Sequence, residues 1–209
     1  MTSATLPSPC TAHGWRSQFG CPRGWLGWLV GHLMAWKNRE RSEWVIGLLG
    51  VMPGDRTLEI GFGSGADIRR VLGVSESVSA AGVDHSQEMV RQARRRNRQA
   101  VLDGRADLRQ GPADRLPFDS EAFDKVFSIN VAQFWTDPRA VLAEAKRVMR
   151  SGATIAVAVQ PRHANATRED AIRTGESLHR ALEVAGFTAV ALQMYEAQPV
   201  PVACATAVK

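Results

Sequence analysis

Glu59, Gly61, Gly63 and Gly65 occupy every second position of one segment, Leu58-Glu59-Ile60-Gly61-Phe62-Gly63-Ser64-Gly65, and Asp84 follows downstream. Glycines so spaced let backbone N–H groups approach a ligand closely, and the helix expected next points its positive N-terminus into the same space. An acid at the end of the following strand is a two-oxygen acceptor suited to the paired hydroxyls of a ribose. Two chemistries share this pattern. Gly61-x-Gly63-x-x-Ala66 satisfies the loose dinucleotide fingerprint, so an NAD-type oxidoreductase is one reading. Glu59, two residues before the first glycine, sits awkwardly beside a pyrophosphate and suits a ligand carrying positive charge.

The elements that must position these residues show as changes of period. Residues 56–60 form a short β run ending in glycines, and helix signals follow over 66–72. A strand is expected over 78–84 and a helix over 86–100, with Ser86 as N-cap. Strands over 107–110 and 123–130, a helix over 138–149 and a strand over 153–160 come next. A helix over 169–185 closes at Gly186, and two β runs, 187–196 and 200–208, break at Gln198-Pro199. Strand–helix alternation implies right-handed βαβ units. The last two strands lack a helix between them, so strand seven is expected to run antiparallel. The fold class is therefore α/β, a Rossmann-like doubly wound sheet of seven strands with an N-terminal helical cap.

Residues 1–20 read as an arm. From 23 to 50 the pattern is helical, broken near 37–41, with Trp25, Trp28, Leu29, His32, Leu33 and Trp36 along one stripe. The organisation expected is an arm and substrate lid over 1–50, then a ligand-binding domain over 51–209.

Composition excludes several classes. With 209 residues, 44% of them hydrophobic and 22% charged, the chain is a soluble globular protein. Its three cysteines are far apart and form no ligand spacing, so neither a metal nor a disulfide framework is expected. The net charge of +5 includes Arg91, Arg94, Arg95, Arg96 and Arg98, which wrap around a helix without interleaved aromatics. That is the pattern of a solvated face, and nucleic acid is not expected as a partner. No signal-peptide pattern opens the chain, and the apolar stretch over 24–36 is too short to span a bilayer. A cytoplasmic location follows by default, and membrane contact is not expected.

Glu59, the third glycine at Gly65 and the closing two-strand ribbon favour the cationic ligand over the dinucleotide, and four ordered blocks add to them. The blocks are residues 53–65 (PGDRTLEIGFGSG), 82–90 (GVDHSQEMV), 116–118 with 123–128 (LPF, FDKVFS), and 142–152 (LAEAKRVMRSG). In this order and spacing the chain resembles the class I S-adenosylmethionine-dependent methyltransferases, most closely the type 11 small-molecule group. The resemblance implies S-adenosyl-L-methionine as cofactor, S-adenosyl-L-homocysteine as product, and no metal. It places Gly61, Phe62, Gly63 and Gly65 around the methionine and ribose, with Glu59 near the amino-acid moiety. Asp84 would accept from both ribose hydroxyls, His85 and Met89 would flank the adenine, and Ala113 and Asp114 would meet its edge. Asn130 would lie beneath the methionine end. Where family members often carry an acid before Ala113, this chain has Pro112.

The acceptor is expected beyond the carboxyl ends of the strands, against the N-terminal segment and the loops after strands four and five. Trp25, Trp28, Phe134 and Trp135 would make that pocket apolar, which suggests a small apolar or aromatic acceptor. His163, His32 and Gln133 are the candidate catalytic groups, for an acceptor that needs a base. The expected assembly is a monomer or homodimer. A cofactor-binding protein of the same fold without methyl transfer is the alternative.

Overall fold

The structure is a computed structural model that describes residues 39–209. Helix α1 (Arg39–Leu49) leads into strand β1 (Arg56–Ile60) and helix α2 (Ala66–Leu72). Next come β2 (Ser79–Asp84), α3 (Gln87–Arg96), α4 (Arg98–Leu102), β3 (Ala106–Gln110) and β4 (Phe123–Ile129). A 3-10 turn (Ala132–Phe134), α5 (Pro138–Val148), β5 (Met149–Val159), α6 (Arg168–Val184), β6 (Thr188–Tyr195) and β7 (Val202–Val208) complete the described chain. The strands form one seven-stranded sheet in the order β3-β2-β1-β4-β5-β7-β6. The first five are parallel to their neighbours, and β7 inserts antiparallel between β5 and β6. The expected doubly wound sheet with its reversed last strand is present.

Central strands read as near-continuous apolar runs because helices cover both faces. On one face Val45 and Leu49 of α1 join Phe62, Ile68, Val71, Phe127 and Ala156. On the other, Leu58, Ile60, Val126 and Ile155 pack against Leu142 of α5 and Leu182 of α6. Helix α6 comes very close to the β6–β7 ribbon at Gly175, where a Cβ would sit 2.7 Å from Leu192 and 3.0 Å from Ala203. Thr167 and Asp170 start that helix with a reciprocal capping box. Asp137 caps α5, with Pro138 in the first turn.

Two boundaries differ from the sequence expectation for identifiable reasons. The single helix expected over 86–100 is divided at Asn97. The buried Asn97 side chain donates to the carbonyl oxygens of Ala93 and Gly65, which anchors this residue at φ −107°, ψ 26°, outside helical geometry, where α3 ends. Strand β5 begins at Met149 instead of 153. The register slips between the Phe123–Met149 and Lys125–Thr154 pairs, and Gly152, at φ 77°, supplies the backbone conformation that the slip requires.

Helix α1 is tied to the sheet by polar groups as well as by Val45 and Leu49. Arg41 Nη1 donates to Gln160 Oε1 at 2.8 Å, and Ser42 Oγ donates to Asp67 Oδ2 at 3.0 Å. Gln160, one residue past β5, is buried. Its Nε2 donates to the carbonyl oxygens of Gln198 and Val200, and its backbone N–H donates to Asn130 Oδ1. One residue thus joins α1, the β4 end, the β5 end and the turn between β6 and β7. Residues 1–38, and with them Trp25, Trp28 and His32 of the expected cap, lie outside the described residues.

Gln160→Leu strands the Arg41 guanidinium and two carbonyls together. It should cost about 2–4 kcal/mol of stability, read as a lowered urea midpoint with an unchanged slope. A midpoint equal to that of the parent protein would show that solvent satisfies these groups.

Candidate active site

Strand β1 delivers Glu59 and Ile60 to the carboxyl edge of the sheet, and the Gly61 N–H donates to Val83 O of β2 at 2.7 Å. The three glycines of the loop then do different work. A Cβ at Gly61 would lie 2.5 Å from the Val131 side chain, and one at Gly65 would lie 2.6 Å from Ala93. Those two glycines are needed for packing. A Cβ at Gly63 would meet nothing within 4 Å, so here the loop faces open space. Phe62 turns the other way, and its ring lies over Gly82, where a Cβ would approach within 2.4 Å. Only the backbone of Phe62 is left to face a ligand.

Asp84 ends β2 and holds this loop. Its Oδ2 accepts from the Gly63 N–H and its Oδ1 from the Ser86 N–H, both at 2.8 Å. Each oxygen keeps lone-pair capacity for one further donor, which is what two ribose hydroxyls require. Burial raises the proton affinity of Asp84, while the two N–H groups and His85 oppose the rise. The His85 ring is exposed, with Nδ1 3.6 Å from Asp84 Oδ1. Met89 is buried one turn into α3, where its N–H donates to the Ser86 cap. Ala113 is partly buried against the second core cluster and Asp114 is exposed.

Glu59 is 2% exposed, and its Oε2 is buried without a hydrogen-bond partner. Burial is the chief reason its carboxyl is pushed well above the usual range. The charges of Asp67 and Asp84 add to the shift, and Arg70 and the Ile68 N–H oppose it. Asp67 was not singled out in the sequence, although an acid in the first turn after a glycine loop is a readable signal. It accepts from Ser42 and from Arg70 Nη1, and burial raises its proton affinity too. Arg96 also went unnoticed as a loop residue, and its Nη1 donates to Ser64 Oγ at 2.8 Å.

At the β4 end Asn130 adopts φ 58°, and its Oδ1 accepts from the Gln160 N–H. Its Nδ2 is buried and unpartnered. Gln133 Nε2 donates to Asn130 O, so this side chain braces the turn. Phe134 is 60% exposed, whereas Trp135 packs on the second cluster with its Nε1 buried and unpartnered. His163 lies in the loop after β5, with Nε2 3.7 Å from Asp170 Oδ2 at the start of α6. Glu59, the glycine loop and Asp84 therefore share one recess, Asn130 borders it through β4, and His163 belongs to the α6 cap. Among the described residues no group of three metal-ligating side chains exists, and no helix is long and apolar enough to cross a membrane.

A family model described as a methyltransferase domain matches residues 58–157. An uncharacterized methyltransferase of Bacillus subtilis, YdaC, is 32% identical over 181 residues, which is 87% of this chain and 98% of the relative. A S-adenosylmethionine-dependent methyltransferase from Aquifex aeolicus shares the fold at TM-score 0.65 and 20% identity, over 79% of this chain and 88% of that one. Geranyl diphosphate methyltransferase, solved with S-adenosylmethionine, does so at 0.64 and 15%, over 81% and 84%. With the sheet order and the glycine loop described above, these likenesses define the class, and the chain belongs to the class I S-adenosylmethionine-dependent methyltransferases. The residues present fit that cofactor. The unpartnered oxygen of Glu59 suits a cationic ligand, Gly63 leaves room for one, and Asp84 retains two acceptor sites.

The buried Glu59 makes stability depend on pH. Its proton is held more tightly in the folded state than in the unfolded one, so its contribution is full below the ordinary value of 4.5 and is lost as pH rises toward the folded value. Relative to Glu59→Gln, the parent protein should lose up to about 1.4 kcal/mol per pH unit above that point, measured by urea unfolding. Parallel pH profiles for the two proteins would remove the buried charge from the account.

Proposed function

We propose that this protein moves the methyl group of S-adenosylmethionine to a small acceptor with an apolar or aromatic body. The observation that carries the reading is the recess around Gly63, open to a ligand and flanked by the buried carboxyls of Glu59 and Asp84. Bound there, the cofactor supplies an electrophilic sulfonium methyl group. Asp84 would orient it through the ribose, and the Gly63 segment would lie against it. Once ionised, Glu59 in its low-dielectric surroundings would attract the positive charge of the cofactor more strongly than it would in water. Phe134, exposed just past β4, and the tryptophans of the N-terminal segment would exclude water and hold the acceptor.

Positioning alone can contribute about 7–11 kcal/mol to a displacement between held partners. Gln133 braces Asn130 and His163 sits at the α6 cap, an arrangement that suits an acceptor needing no strong base. A cytoplasmic site of action and a monomeric or homodimeric state belong to the same reading. Calorimetry with S-adenosylmethionine, followed by transfer of a labelled methyl group to a panel of small acceptors, tests it. Binding without transfer to any acceptor would favour a cofactor-binding role instead.

Asp84→Ala should weaken S-adenosylmethionine binding by about 1.5–3 kcal/mol, while Asp84→Asn, which keeps one acceptor oxygen, loses less. Unaltered affinity in a folded Ala variant would take the ribose away from Asp84. Trp28→Ala should lower acceptor turnover at least about tenfold, or about 1.4 kcal/mol, with cofactor affinity changed less than about threefold. Equal losses in both, with a large drop in melting temperature, would make Trp28 a core residue.

A further inference from the structure

The charge on Arg41 has no role in the fold or in the chemistry derived so far. Arg41 is 5% exposed, and Gln160 Oε1, which accepts from its Nη1 at 2.8 Å, is neutral. Its Nε is buried and meets no acceptor. A buried guanidinium with an unused N–H is costly unless something anionic meets it. Arg162, two residues beyond Gln160, adds a second positive charge nearby. Burial, then the charge of Arg162, pulls Arg41 down to about 10, and burial lowers Arg162 as well. The carboxylate that acts on Arg41 in the opposite sense is Asp67, which Arg70 and Ser42 already engage. Residues 1–38 contain Arg16, Arg23 and Lys37 but no Asp or Glu, so the segment leading into α1 has no carboxylate side chain to offer.

The location narrows what kind of group could meet Arg41. Asp84 ends β2, and Gln160 follows β5, three strands across the sheet. At about 4.8 Å per strand that is roughly 14 Å, on the opposite side of the glycine loop from the ribose acceptor. Gln160 accepts from Arg41 and donates its N–H to Asn130 at the β4 end, so Arg41 is tied to the β4–β5 side of the sheet edge, with Arg162 two residues beyond Gln160 in the chain.

We propose that Arg41 and Arg162 form an oxyanion subsite that binds an acidic group, carboxylate or phosphate, on the methyl acceptor. The acceptor is then amphipathic, with an apolar body against Phe134 and an acidic head at the β5 end. Charge-assisted hydrogen bonds from guanidinium N–H groups to an oxyanion are among the stronger polar contacts available to a protein. This inference rests on the methyl-transfer reading above.

The test uses the full chain saturated with S-adenosylhomocysteine and titrates octanoate, octyl phosphate and the neutral octanamide by calorimetry. The parent protein should bind one of the two anions at least about tenfold more tightly than the amide, and the better anion tells carboxylate from phosphate. Arg41→Gln and Arg162→Gln should each reduce that preference below about threefold, while Arg41→Lys, which keeps the charge, retains most of it. Affinity for S-adenosylhomocysteine should stay within about threefold throughout. Because Arg162 lies in the loop between β5 and α6, outside the sheet and the helices, its variant serves even if Arg41→Gln fails to fold. No preference for either anion in a protein that binds S-adenosylhomocysteine overturns the subsite alone. A preference that survives both Gln variants, with S-adenosylhomocysteine affinity lost instead, overturns it by assigning the arginines to the cofactor. A parent protein that does not bind S-adenosylhomocysteine overturns the methyl-transfer reading itself.

Discussion

Glu59, Asp67 and Asp84 place three carboxyl groups at the carboxyl ends of β1 and β2, and burial raises the proton affinity of each. Negative charge in such a place is tolerated only with hydrogen bonds or positive charge beside it. The surroundings are arranged accordingly. Asp84 receives the Gly63 and Ser86 N–H groups, and Asp67 receives Ser42 and Arg70. Glu59 has an oxygen left without a partner. The glycine loop is held by Asp84, and α1 is fastened through Asp67.

The sheet topology determines what else can reach that recess. Because β4 and β5 follow β1 on the side away from β2, the ends of β4 and β5 form the opposite wall. The antiparallel β7 brings the turn between β6 and β7 to the same edge, where Gln160 hydrogen-bonds the carbonyl oxygens of Gln198 and Val200. Gln160 also receives Arg41 from α1 and donates to Asn130. The docking of α1 and the turn after β4 are therefore mechanically linked through one residue.

The strand and helix order was legible because hydrophobic period, glycine turns and caps such as Ser86 are local signals. The glycine loop and Asp84 were legible for the same reason. Less visible was the division of labour among Gly61, Gly63 and Gly65, which depends on Val131 and Ala93 packed against two of them. The break at Asn97 was missed because its cause is a long-range bond to Gly65. Arg41 and Gln160 lie 119 positions apart and carry no mutual pattern, so only the folded chain brings them together. Gln133 looked free to orient an acceptor, yet its amide is used on the neighbouring turn.

The central claim is that a cationic cofactor meets a carboxyl whose proton is favoured by burial and by the neighbouring Asp67 and Asp84. Titrating S-adenosylmethionine calorimetrically, between pH 5 and 8 and in buffers of different ionisation enthalpy, measures the protons exchanged on binding. The account predicts net proton release from the parent protein, and a smaller release from Glu59→Gln at each pH. Equal proton counts for the two proteins, or no binding of S-adenosylmethionine by the parent, would contradict it.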